Sequence, residues 1–150
     1  ALRRLGGRAV LVHTGWDAHW GTEHYLSANP FLTADAAEML AAPDRDPDLL
    51  NRRLEVLAQR TGAAVIYVIG SSGRTLAASN FRLPTSFVGQ NYAFRPYFTD
   101  AMTKGSSELF AQGTVSGRPG LYIARRVGPP TAPLGVIVVK IEFDSLQQAW

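Results

Sequence analysis

The run GVIVVKIEF, residues 135–143, decides the fold. A period of two places Ile137, Val139, Ile141 and Phe143 on one face, and Val136, Val138, Lys140 and Glu142 on the other. Both faces are mostly apolar, so the strand reads as central and covered on each side rather than as an edge. Working back from it, Leu121–Val127 and Glu108–Gln112 carry the same strand signal. Gly128-Pro129-Pro130 and Gly117-Arg118-Pro119-Gly120 supply turn chemistry between the three. Earlier still, Ala64–Ile69 and Thr75–Ser79 flank Gly70-Ser71-Ser72-Gly73 and predict a hairpin.

Helical signals lie mainly ahead of the strands. Asp46 is a natural N-cap, Pro47 fits the first helical position, and Asp48 complements the positive end of the helix dipole. Leu50, Leu54 and Leu57 then recur on one face, and Gly62 stops the helix. A second, shorter helix runs from Pro96 to near Gly105, with Phe98 and Met102 four residues apart. It follows a long loop through Asn80, Pro84, Gly89 and Asn91, so loop and helix together cross from the second strand to the third. Thr33 can cap a helix over Ala34–Ala42 that ends before Pro43, and Ser145 can cap a last one reaching Trp150. Helices first and strands later predict an α+β fold with one five-stranded antiparallel sheet flanked by N-terminal helices. The chain divides into a segment 1–45, helical in part, and a module 46–150.

Composition narrows the possibilities. The 150 residues are 46% apolar and 18% charged, which suits one domain with a real core and argues against disorder. No stretch reaches the ~18 apolar residues of a membrane-spanning helix. The net charge is +3, and thirteen of the fifteen cations are arginine. They come in scattered doublets such as Arg52–Arg53 and Arg125–Arg126, not in a basic stripe interleaved with aromatics, so no nucleic-acid partner is expected. There is no cysteine, which removes disulfides and thiolate chemistry together. All three histidines lie in the first 24 residues, and His19 and His24 are five apart, off the spacing of a helical metal pair. No P-loop, G-x-G-x-x-G or G-x-S-x-G pattern occurs, so neither catalysis, a metal nor a cofactor is expected of this segment.

Three features suit a small anion. Arg95 stands directly before Pro96, where its guanidinium sits beside the free N–H groups of a helix start, and Tyr97 adds a phenol. The plain alternative pairs Arg95 with Asp100. Lys140, on a central strand, needs a negative partner, which is either Glu142 on the same face or a ligand carboxylate. Thr114, Ser116 and Gly117 form a loop of small residues offering hydroxyls and backbone N–H groups, or simply an ordinary hairpin turn.

At these residues the sequence resembles a family. The runs TGAAVIYVIGSSGRTLAASN, SFVGQNYAFRPYFTDAM, GTVSGRPGLYIARRV and GVIVVKIEFDSLQQAW are similar to the periplasmic sensor region of C4-dicarboxylate sensor histidine kinases. The likeness extends from Asp46 to Trp150. It implies a PAS-like (Cache) module, the membrane-distal one, on the periplasmic side of an inner-membrane receptor that dimerises and carries its kinase core elsewhere. It also implies that Arg95 and Tyr97 bind carboxylates of succinate, malate or fumarate, with Thr114, Ser116 and Gly117 donating from the loop and Lys140 from the last strand. The opening of the chain does not read as the long helix by which such modules usually begin. A ligand-free dimerisation module is the competing reading; it needs the apolar faces but no convergent cations.

Overall fold

A computed structural model describes residues 46–142 throughout, together with Ala37 and two short strands near the start. Those strands, β1 (Leu2–Leu5) and β2 (Ala9–Val12), pair antiparallel with Leu2 opposite Val12. The opening segment, read as helical in part, thus contains a hairpin that its sequence did not announce. Ala37 is helical, as expected for Ala34–Ala42, and packs half-buried against the core. The rest of that helix, and the one expected after Ser145, fall outside the described residues.

Helix α1 (Pro47–Thr61) forms as its caps dictate. The Asp46 carboxylate accepts from the Asp48 N–H at 3.0 Å, and Gly62, at φ +75°, donates its N–H to the Ala58 carbonyl. Leu50, Leu54 and Ala58 are buried, and Leu57 half-buried. Five strands follow: β3 (Val65–Gly70), β4 (Thr75–Ala78), β5 (Ser106–Gln112), β6 (Pro119–Val127) and β7 (Gly135–Glu142). Helix α2 (Pro96–Lys104) lies between β4 and β5 in the chain. All pairings are antiparallel, in the order β4-β3-β7-β6-β5, which puts β7 in the middle.

Each face of the sheet has its own core. Ile66 and Val68 of β3 and Ile137 and Val139 of β7 pack with Leu50, Leu54 and Ala58 of α1. On the opposite face Tyr67, Ala124, Val136 and Val138 meet Phe98 and Ala101 of α2 and Phe87 and Tyr92 of the loop. Buried polar side chains tie these layers down. Asn51 of α1 accepts from the Ala78 N–H of edge strand β4, and the Ser79 hydroxyl accepts from the Ile66 N–H, both at 2.9 Å. The Asn80 carboxamide accepts from the Phe87 N–H and donates to the Thr85 carbonyl, which folds the long loop back on itself.

One turn differs from its expected place. Gly117-Arg118-Pro119-Gly120 is not the turn between β5 and β6; Pro119 and Gly120 already belong to β6. The chain reverses between Gly113 and Arg118, where Gly113 N–H donates to the Arg118 carbonyl and Gly117 N–H to the Gly113 carbonyl. Ladder pairing of Gln112 with Pro119 draws the strand pair tighter than the glycine-proline signal alone suggests.

Candidate ligand-binding site

The antiparallel register sets one row across the inner face: Val65, Lys140, Tyr122 and Leu109 stand opposite one another on β3, β7, β6 and β5. Residues directly opposite share a face, so Lys140 and Tyr122 are neighbours by construction. Tyr97, in the first turn of α2, stacks on the Tyr122 ring with centroids 5.0 Å apart and planes 6° from parallel. Arg95 caps α2 from extended backbone, and its guanidinium lies 5.4 Å from the Tyr97 ring centre and 5.2 Å from that of Tyr122. The Lys140 ammonium lies 5.6 Å from the same Tyr122 ring. Two cations distant in sequence are therefore gathered around one aromatic ring, at cation–π range.

Lys140 is fully buried and doubly held: its ammonium donates to Ser116 Oγ at 2.7 Å and pairs with Glu142 at 2.8 Å. The expected Lys140–Glu142 pair thus exists, with the loop serine added to it. Glycines make the room. A Cβ at Gly113 would stand 2.6 Å from Ser116 Oγ and 2.9 Å from the ammonium, and one at Gly120 would stand 3.0 Å from Lys140 Cε. Arg95 does not pair with Asp100, which instead pairs with Lys104. Its guanidinium donates to the Gln112 carbonyl at the end of β5, binding the start of α2 to the loop that carries Thr114 and Ser116.

The hydroxyls are arranged as donors. Tyr67 donates to the Tyr97 oxygen at 2.7 Å, which leaves Tyr97's own proton to give away. Ser116 Oγ accepts from Lys140 and from the Arg118 N–H, so its proton is likewise available. Burial pushes the Tyr97 hydroxyl up to about 12, although the Tyr67 hydrogen bond and the Arg95 charge pull against that rise. It stays a proton donor throughout the neutral range. Burial also raises Tyr92 and Tyr67. Among the described residues Tyr92's hydroxyl is buried and makes no hydrogen bond of ordinary geometry, although Thr114 lies near it. Its ring packs against those of Tyr67 and Phe87, which also meet each other edge to face.

Of the residues expected from sequence, Arg95, Tyr97, Ser116 and Lys140 are brought together, with Thr114 near enough to the Tyr92 hydroxyl to act on it. Gly117 is different. Its N–H is spent on Gly113, its carbonyl accepts from the Gln112 side chain, and its φ of +67° is what the turn requires. Its part here is to shape the loop. Tyr92, Tyr122, Gly113 and Gly120 were not singled out. The NYAFRPY and GTVSGRPGLY runs contained them, but only the folded chain shows that they meet.

Known proteins resemble this chain. The C4-dicarboxylate transport sensor protein DctB of Rhizobium meliloti is 55% identical over 127 residues, covering 82% of this chain and 20% of its own length. Its namesake in Pseudomonas aeruginosa is 38% identical over 102 residues, covering 68% and 17%. The crystal structure of the Vibrio cholerae histidine kinase DctB sensor domain superposes with a TM-score of 0.70 at 36% identity, over 91% of this chain and 51% of that one. The chain is a sensor domain of the DctB family. This DctB-type domain is a periplasmic sensing unit with the α+β, PAS-like fold, and not itself a catalyst. It spans a fifth or less of the curated relatives and about half of the solved sensor domain. A separate family model, described as "Putative cyclase", matches residues 3–44, ahead of the continuous block that forms the sensing fold.

Proposed function

We propose that the module 46–150 binds a C4-dicarboxylate such as succinate, malate or fumarate, with one carboxylate on Arg95 and Tyr97 and the other on Lys140 and Ser116. The observation that carries this is the placement of both cations around the Tyr122 ring, 5.2 and 5.6 Å from its centre. They can therefore be no more than the sum of those distances apart. That limit is compatible with a short diacid, whose carboxyl carbons are about 4 Å apart and whose charge-assisted contacts are about 2.8 Å at each end. Thr114 adds a hydroxyl from the loop, and Gly117 holds the loop in register. The names of the relatives support the ligand class, since both are C4-dicarboxylate transport sensors.

The parent protein, on this reading, is a membrane-anchored sensor histidine kinase that works as a homodimer. A ligand shifts such a receptor only through its different affinity for two conformations. Bridging α2, the β5–β6 loop and β7 favours the closed arrangement, and that bias is what the domain passes on.

Calorimetric titration of the 150-residue chain with succinate, and with its neutral diamide, tests the reading. Succinate binds and the diamide does not, because the buried ammonium and the guanidinium reward charge. Equal binding of both, or of neither, contradicts it.

A further inference from the structure

The site already contains a carboxylate. Glu142 pairs with the Lys140 ammonium at 2.8 Å, and its second oxygen lies 3.8 Å from the Arg118 guanidinium. Lys140 is wholly buried, Glu142 retains 17% of its side-chain exposure, and Arg118 retains 63%. Glu142 thus sits between a buried cation and an outer one, at the rim where the β5–β6 loop meets the end of β7.

A buried ammonium needs a counter-charge at all times. Without a ligand, Glu142 supplies it. A second carboxylate arriving at Lys140 meets the first, and like charges sharing one cation oppose each other. The outer oxygen of Glu142 already leans toward Arg118, which offers the displaced group a place to go.

We infer that Glu142 sets the affinity of the site: it is a resident competitor that the ligand's carboxylate displaces from Lys140 toward Arg118. This rests on the dicarboxylate reading above. Binding is then an exchange of one carboxylate for another, so the pocket never holds an unpaired buried charge and the ligand gains only the difference.

The test is a double-mutant cycle read by calorimetry with succinate. Glu142→Gln removes the competing charge while keeping an amide oxygen for Lys140, and succinate binds about tenfold more tightly, the effect of roughly 1.4 kcal/mol. Arg118→Ala, at an exposed position, leaves the core intact and weakens succinate binding severalfold. Added to Glu142→Gln, the Arg118 change alters affinity by less than twofold, because there is no longer a carboxylate to receive. If Glu142→Gln binds succinate no better than the natural chain, or Arg118→Ala costs as much in both backgrounds, Glu142 is only a structural counter-ion and the inference falls while the dicarboxylate reading stands. If the natural chain binds no succinate at all, both fall together.

Discussion

Arg95→Ala weakens succinate binding by one to two decades and leaves the domain folded. Arg95 is half-buried, its guanidinium lies over two aromatic rings, and it donates a hydrogen bond to the Gln112 carbonyl. The two rings are buried, but Arg95 lies against them from outside the core and its removal opens no cavity within it, so the melting temperature changes little. What disappears is a charge-assisted, two-pronged contact to a carboxylate, a loss of about 1.5–3 kcal/mol, which corresponds to one to two decades in Kd. Arg95→Lys keeps the charge but not the fork, and recovers only part of the affinity. Calorimetry beside thermal unfolding separates the two effects. An Arg95→Ala chain that binds as the natural one does removes Arg95 from the site.

Tyr122→Ala produces the largest loss of stability at the site, about 3–5 kcal/mol, because a buried ring is replaced by a hole that the sheet cannot close. Tyr122 is only 3% exposed and stands between Leu109 and Lys140 in the ladder. Tyr97 stacks on it, and both cations lie around it. Removing the ring therefore takes away the surface that positions the guanidinium and the ammonium, as well as packing area. Tyr122→Phe keeps the ring and most of the stability. Urea unfolding of the three chains gives the comparison; equal midpoints for the alanine and phenylalanine forms contradict this role.

Local signals made much of the fold legible. Asp46, Pro47 and Gly62 bracket α1 because caps and dipole act within one turn of the chain. The alternation in residues 135–142 gave both the strand and its central place, since only a strand covered on both faces carries Val and Ile on each. Arg95 and Lys140 stood out because a cation before a helix-starting proline, and another in an apolar strand, each need an explanation.

The convergence at Tyr122 was not legible residue by residue. Tyr67, Tyr92, Tyr97 and Tyr122 come from β3, a loop, α2 and β6, and what brings them together is register across a sheet whose order is not the order of the sequence. Gly120 was read as a turn glycine for the same reason, yet it makes space for the Lys140 side chain. The hairpin near the start of the chain was missed because its strands, LRRL and AVLV, are each four residues long, too short for a period to declare itself.

The most direct measurement is a crystal structure of the 150-residue chain grown with succinate. The diacid is expected beside the Tyr122 ring, one carboxylate on the Arg95 guanidinium and the Tyr97 hydroxyl, the other on the Lys140 ammonium. Succinate bound elsewhere, or held by only one of the two cations, contradicts it.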